Sequence, residues 1–381
     1  TYHTRCTYST PTVAGRRRQR TRKQHERVRM APVDISEARC LLQQQKVDSL
    51  SKEHKDVVAL SDECGVSLAL KTLAKHKFLA APVVSNSDGS SEVDIICFLD
   101  IRDILLNFLT KIHEAFEPGM ASSMLHRMRY LEEAGNPYGH IRIKDLEVKG
   151  GDGGFWFSKH AEKASIMELI CKAFLSPSSC VAPGKADAVA GLDHIHRVAL
   201  FGDDGSTLTS IITQTDIIRY LYENIGSLGA LAHATISDLG WDKRPVLTVP
   251  PETAALDALK LMADKNISAI GVERDGCLIG NFSVSDMRAI TADHFCSLAL
   301  PVGEFLALEH GTEYAGYAAH QGAEGESSPH EAMAKFARSD SRRPERPGAD
   351  VGQSLTLCEP TWTFAQVLES LVKNRIHRLY V

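Results

Sequence analysis

Residues 246–290 read VLTVPPETAALDALKLMADKNISAIGVERDGCLIGNFSVSDMRAI, and the order of their apolar and breaking residues decides the fold. VLTV is a short β-rich stretch closed by Pro250-Pro251, because proline cannot donate to a sheet ladder. Thr253 is placed to cap a helix whose apolar Leu256, Leu259, Leu261 and Met262 recur near helical spacing. SAIGV is a second strand, Arg274-Asp275-Gly276 a turn, CLIGNFSV a third strand, and SDMRAI opens a second helix. The unit is β-α-β-β-α, a mixed α/β (α+β) pattern.

The same order recurs along the chain. In residues 57–110, VVALS leads into VSLALKTLAKHK, AAPVV, a Ser/Asp/Gly turn, IICFLD and IRDILLNFL. In residues 164–225, the helix is ASIMELICKAFL and the strand HRVALFG. Asp203-Asp204-Gly205 forms the turn, followed by TSIITQ and TDIIRYLYENI. A fourth copy begins with SLTL at residue 354, runs through TFAQVLESLVKN and reaches IHRLYV, where the sequence stops before a turn, last strand and last helix. The reading expects a basic, unstructured leader over 1–45 and repeats over 46–112, 155–226, 234–295 and 300–381. A linker spans 113–154, and the fourth repeat is incomplete. The Gly-rich residues 135–154, the insertion 176–191 and the Gly/Ser/Arg/Pro-rich 309–352 read as flexible loops.

The bulk numbers narrow the function. With 43% hydrophobic and 24% charged residues and a formal net charge of −5, the 381-residue chain gives no overall reason to expect a nucleic-acid or membrane partner. Its nine cysteines fall at no metal-ligand spacing and read as small apolar residues in a reducing compartment. Residues 15–29, GRRRQRTRKQHERVR, form a basic run; an organelle address, a nuclear address and upstream translation before Met30 all fit it. There is no phosphate-cradling lysine loop, zinc-protease helix or nucleophile elbow, so the chain reads as a non-enzyme, with no catalytic cofactor and no metal.

What recurs is a junction: ICFLDIRDILL at 96–106, IITQTDIIRYL at 211–221 and NFSVSDMRAI at 281–290 each pass from a strand through a polar residue, two more residues and an aspartate into an amphipathic run. A hydroxyl there caps a helix, and an acid three positions later sits in the first turn where the helix dipole favours it. Any helix can use that device, which contributes about 1 kcal/mol. The same geometry lets a carboxylate accept two hydrogen bonds from a ribose diol while the helix start offers amides to an anion.

Four ordered units with this junction resemble the CBS domain, the module named after cystathionine β-synthase. With KFLAAPVV, IHRVALF, NISAIGV and NRIHRLYV at the start of their second strands, they resemble the γ subunit of AMP-activated and sucrose-nonfermenting-type protein kinases, the plant-type relatives in particular. The resemblance implies two CBS pairs (Bateman modules) in a flattened disc that binds AMP, ADP and ATP as competing regulatory ligands. It also implies a heterotrimer with a catalytic α and a scaffolding β kinase subunit; the location expected is the cytoplasm, with the nucleus and, through the basic leader, an organelle left open. Carried over position by position, it implies nucleotide contacts from Asp103, Thr213, Asp216, Ser283 and Asp286, and phosphate contacts from His196-Arg197 and His377-Arg378. Asp100 takes the Ser/Thr place of the first repeat, and two departures from the animal pattern stand out, the first being Leu79 where animal γ subunits carry arginine. The second is Asp216, present where those subunits usually lack the acid. The alternatives are a stand-alone CBS protein that binds adenosyl ligands to regulate another enzyme or transporter, and a scaffold whose motifs only cap helices.

Overall fold

The computed structural model describes residues 32–50, 57–86, 93–113, 123–146, 153–156, 163–175, 195–201, 208–243, 245–310 and 355–381. The chain divides into two compact units, Thr1–Pro32 and Val33–Val381, and the fold described here is that of the second.

It opens with a helix, α1 (Ser36–Gln44), inside the stretch expected to be an unstructured leader. The helix forms because Ala38 buries against Leu228, Ala232 and Leu368, which the local sequence does not reveal. The first repeat then follows as β1 (Leu60–Ser61), α2 (Val66–His76), β2 (Ala80–Asn86), β3 (Val93–Asp100) and α3 (Ile101–His113). Next comes α4 (Met124–Gly139), and after it the second repeat. That repeat holds β4 (Gly153–Trp156), α5 (Ile166–Glu168) continued as a π-turn over Leu169–Phe174, β5 (Arg197–Phe201), β6 (Leu208–Thr213) and α6 (Gln214–Glu223). After α7 (Ala230–His233), the third repeat holds β7 (Thr248–Val249), α8 (Ala255–Asp264), β8 (Ala269–Arg274) and β9 (Cys277–Ser283). Helices α9 (Val302–His310) and α10 (Phe364–Lys373) complete the described elements, α10 lying in the fourth repeat.

Each sheet has the same wiring. The first strand pairs parallel with the second across a helix, and the second pairs antiparallel with the third, in the orders β1-β2-β3, β4-β5-β6 and β7-β8-β9. The register even slips at one equivalent place in each, between Val83/Val84, Leu200/Phe201 and Val272/Glu273. Each slip falls after the fourth residue of the second strand, where a bulge adds a local twist. The helix-to-strand turns are shared too. Lys77, Asn266 and Arg375 all take positive φ (59°, 49° and 53°). The next residue donates back to the helix: Phe78 to Leu73, Ile267 to Met262 and Ile376 to Leu371, with Ile195 to Phe174 in the second repeat. In the fourth repeat, Leu357 and Tyr380 bridge in parallel around α10, where the sequence suggested two fuller strands.

Three other expectations give way. The linker 113–154, with its Gly-rich second half, contains helix α4. Gly135 and Gly139 are not loop formers but lie four apart on one helix face. An added Cβ would meet the Ala292 carbonyl oxygen at 2.5 Å from Gly135 and the Ala292 Cβ at 3.0 Å from Gly139. That close approach packs Tyr138 against Phe108 and Phe295 at ring-centroid distances of 5.0 and 6.1 Å. Thr253 does not cap α8: Ala254 holds that position, and the end is tied instead by Ala255 N donating to the Leu300 carbonyl and Val302 N to the Thr253 carbonyl. The run SDMRAI makes one 3₁₀ turn, Val284–Met287, because Thr291 returns to extended backbone to start a further 3₁₀ segment, Ala292–Ala299. The Asp275-Gly276 turn is as expected, both residues having positive φ. Residues 1–29, the insertion 176–191, the Asp203-Asp204-Gly205 turn and positions 311–352 lie outside the described residues.

The repeats meet in a closed circuit. The first and third share the largest apolar core, with Leu70, Ile104, Phe108, Leu256, Phe282 and Phe295 in it. The first and second pack sheet to sheet through Phe98, Ala199 and Phe201. The second and fourth join through α6 and α10, around Leu228 and Leu368. The third and fourth are joined by polar bonds, Arg378 to Ser268 and Tyr380 to Asn281.

Candidate functional site

Equivalent positions in the four repeats define four corners of one region. In the first, third and fourth repeats a left-handed turn after the helix places two residues at the mouth of the second strand, Leu79-Ala80, Ser268-Ala269 and His377-Arg378, and His196-Arg197 hold the same place in the second. Across the antiparallel ladder, Ala80 faces Asp100, Arg197 faces Thr213 and Ala269 faces Ser283. The sheet wiring therefore sets Leu79-Ala80, His196-Arg197 and Ser268-Ala269 each beside the polar-x-x-Asp junction of its own repeat.

The junctions are capping boxes. Thr213 donates to Asp216 Oδ2 from its backbone N at 2.8 Å and from Oγ1 at 2.6 Å, and Asp216 N donates back to Thr213 Oγ1 at 3.3 Å. Asp216 Oδ1 lies 3.5 Å from Arg219 Nη1. In the third repeat, Ser283 N and Oγ donate to Asp286 Oδ2 at 2.7 and 2.9 Å, and both residues are buried. In the first, Asp100 N donates to Asp103 Oδ2 at 3.1 Å. A fourth box with no such strand partner, Thr235 and Asp238, has the same bonds at 2.9 and 2.7 Å. The hydrogen bonds from Thr235 hold the Asp238 carboxyl below its ordinary range. The box alone is thus a structural device, and the charges around it must mark any site.

Those charges converge on the fourth repeat. His377 keeps an exposed edge, yet desolvation first, then the charges of Arg378, Arg288, His196 and Arg197, hold its imidazole below the ordinary histidine value. Five cationic or titratable nitrogen groups from three repeats, His196 and Arg378 the furthest apart in sequence, are electrostatic neighbours. Arg378 donates from Nη2 to Ser268 Oγ at 2.9 Å. Burial pushes its guanidinium down, while Tyr380 and Asp286 pull it back up. The Tyr380 hydroxyl donates to Asn281 Oδ1, and burial pushes its pKa up.

Of the residues named from sequence, the fold brings His196, Arg197, His377, Arg378 and Asp286 into one neighbourhood, with Ser283 bonded to Asp286. Thr213 and Asp216 border it through the Arg197–Thr213 pairing, while Asp103 caps its own helix. Arg288, Ser268 and Tyr380 were missed. A signal for Arg288 existed: two residues beyond the aspartate, the first and second repeats carry Leu105 and Ile218, and the third alone a cation. Such an arrangement suits an anion chemically, because guanidinium forks match phosphate oxygens and partial burial limits screening. Among the described residues, no cluster of three or more His, Cys, Asp or Glu could hold a metal ion, and no helix is long and apolar enough to cross a membrane. His194, one residue before Ile195, lies outside the described residues.

Comparison with known proteins locates a family within this region. The chain is 23% identical over 261 residues to Protein SDS23 of Meyerozyma guilliermondii, covering 65% of this chain and 45% of that one. It is 28% identical over 261 residues to Protein SDS23 of Eremothecium gossypii, covering 65% and 47%. The chain spans about half the length of these curated relatives. Among solved structures, it is similar to Protein MJ1225 from Methanocaldococcus jannaschii, described as a candidate archaeal homolog of g-AMPK. That similarity has a TM-score of 0.48 and 17% identity, over 87% of this chain and 91% of that one. Residues 236–292, the third repeat with its β7–β9 sheet, match the family model of the CBS domain, and the chain therefore contains a CBS domain.

Proposed function

We propose that the chain is a regulatory, non-catalytic adenine-nucleotide-binding module of four CBS repeats in two pairs, the first with the second and the third with the fourth. The observation that carries this reading is the meeting of His196-Arg197, Arg288 and Arg378 around the His377 imidazole, with Asp286 beside Arg378. Cations gathered at such cost in mutual repulsion suit a ligand that brings phosphate, and a neighbouring carboxylate suits a ribose diol. Each guanidinium–phosphate hydrogen bond contributes about 1.5–3 kcal/mol. AMP, ADP and ATP would compete there, and a ligand that favours one arrangement of the repeats would bias whatever the module regulates.

The partner in this reading is a kinase catalytic subunit with its scaffolding subunit, as in γ-type assemblies. A second reading rests on the likeness to Protein SDS23: a stand-alone CBS protein that regulates a different enzyme or transporter. Calorimetry of the full chain with AMP, ADP and ATP tests the ligand class, and no heat with any of the three would sink the nucleotide reading. Affinity purification of the tagged chain from its own cells tests the partner. Recovery of kinase catalytic and scaffolding subunits supports the first reading, and their absence from an otherwise intact complex favours the second.

A further inference from the structure

The first corner differs from the others in the sign of its charge. At the mouth of β2 it has Leu79-Ala80 where the second and fourth repeats have His-Arg, and across the ladder it has Asp100 where the second and third have Thr213 and Ser283. Both Asp100 carboxylate oxygens are engaged. Oδ1 accepts from Arg102 N at 2.8 Å, so a first-turn amide of α3 is already satisfied by an anion. Oδ2 accepts from Arg197 Nη1 of the second repeat at 2.8 Å. The pair is 5% and 13% exposed at Asp100 and Arg197, so solvent screens it little. Arg197 is at the same time one of the charges that surround His377.

We propose that Asp100 is a specificity-determining residue that closes the first corner to anionic ligands and holds Arg197 away from them. The phosphate contacts are then left to His196, Arg288, His377 and Arg378. The inference rests on the nucleotide reading above and deepens it: this chain favours a ligand with a short phosphate chain, because the cation that would extend the anion site toward the first repeat is neutralised within the protein. An arginine released from Asp100 would offer its fork to the outer phosphates of a nucleoside triphosphate and add little for a monophosphate.

The test is calorimetry of the full chain with AMP and with ATP, comparing the parent with Asp100→Ser, which restores the hydroxyl of the other corners, and the nearly isosteric Asp100→Asn. Thermal melts by circular dichroism check that each variant folds. Both variants are expected to bind ATP on the order of tenfold tighter than the parent, with a smaller change for AMP. Folded variants whose ATP-to-AMP selectivity equals that of a parent that binds overturn the inference and leave the nucleotide reading standing. Loss of the fold in both variants makes Asp100 structural only and also overturns it. Failure of all three chains to bind either nucleotide overturns the nucleotide reading itself.

Discussion

Two aspartates with matching local bonds and different surroundings allow the cap and the ligand roles to be separated. Asp216 and Asp238 each accept from the backbone N and the hydroxyl of a threonine three residues earlier, at 2.8 and 2.6 Å in one and 2.9 and 2.7 Å in the other. Each also donates its own N to that hydroxyl, at 3.3 and 3.1 Å. Replacing Asp216 by alanine removes the acceptor half of the box and should cost about 1 kcal/mol of stability, a midpoint shift of about 2 °C in a domain of this size. Asp238→Ala should lower stability in the same direction. Their effects on ligand binding should diverge. Thr213 lies opposite Arg197 on the ladder, so Asp216 borders the cationic neighbourhood, whereas Asp238 is exposed at the surface. If Asp216 holds a ribose diol, its loss removes charge-assisted bonds of about 1.5–3 kcal/mol, a tenfold or larger fall in AMP affinity. Asp238→Ala should leave affinity unchanged. Calorimetry beside thermal melts on both variants decides it. Equal losses of stability with equal affinities would reduce Asp216 to a cap and remove it from the site.

Other outcomes follow from the same geometry. Gly135→Ala should destabilise the fold by about 1–3 kcal/mol despite better helix propensity, since its Cβ would sit 2.5 Å from the backbone oxygen of Ala292. Gly226→Ala, with nothing within 4 Å, should be neutral or slightly stabilising in the same denaturant titration. Arg288→Ala should weaken AMP binding about tenfold in calorimetry and, by removing one positive neighbour, raise the pKa of His377, which NMR titration of the imidazole reads directly. Because burial and cations hold His377 below its ordinary 6.5, its contribution to stability is full above that value and declines as pH falls toward the lower folded pKa. A bound phosphate favours the protonated ring, so AMP affinity should rise as pH is lowered through about 6.5, and His377→Gln should flatten that rise in calorimetry at a series of pH values.

The repeat was legible because its signals are local. Apolar spacing in ALDALKLM, the breaking prolines after VLTV and the Asp275-Gly276 turn act within a few residues, and the structure shares their wiring among three sheets. The errors arose where a residue's role is set by a distant partner. Gly135 and Gly139 look like loop formers until Ala292, some 150 residues later (292 − 139 = 153), is brought against them. Ala38 gives α1 a reason to fold only because Leu228 and Leu368 cover it.

The candidate site divides along the same line. The polar-x-x-Asp spacing reports a helix cap wherever it occurs, as Thr235 and Asp238 show, and so cannot by itself separate a ligand corner from a surface turn. The His-Arg pairs were informative because a histidine and an arginine at the mouth of an apolar strand have no local purpose. Charge of one sign is placed there against its own repulsion, and something of opposite sign must answer it. In the first and second repeats the answer is internal: Asp100 takes Arg197. At the fourth, Arg378 meets a neutral serine hydroxyl, with Asp286 and Tyr380 as its nearby anionic or ionisable neighbours. His377 remains among positive groups. That imbalance exists only once the chain is folded, and it is the reason the proposed anion site is assigned to the side of the third and fourth repeats.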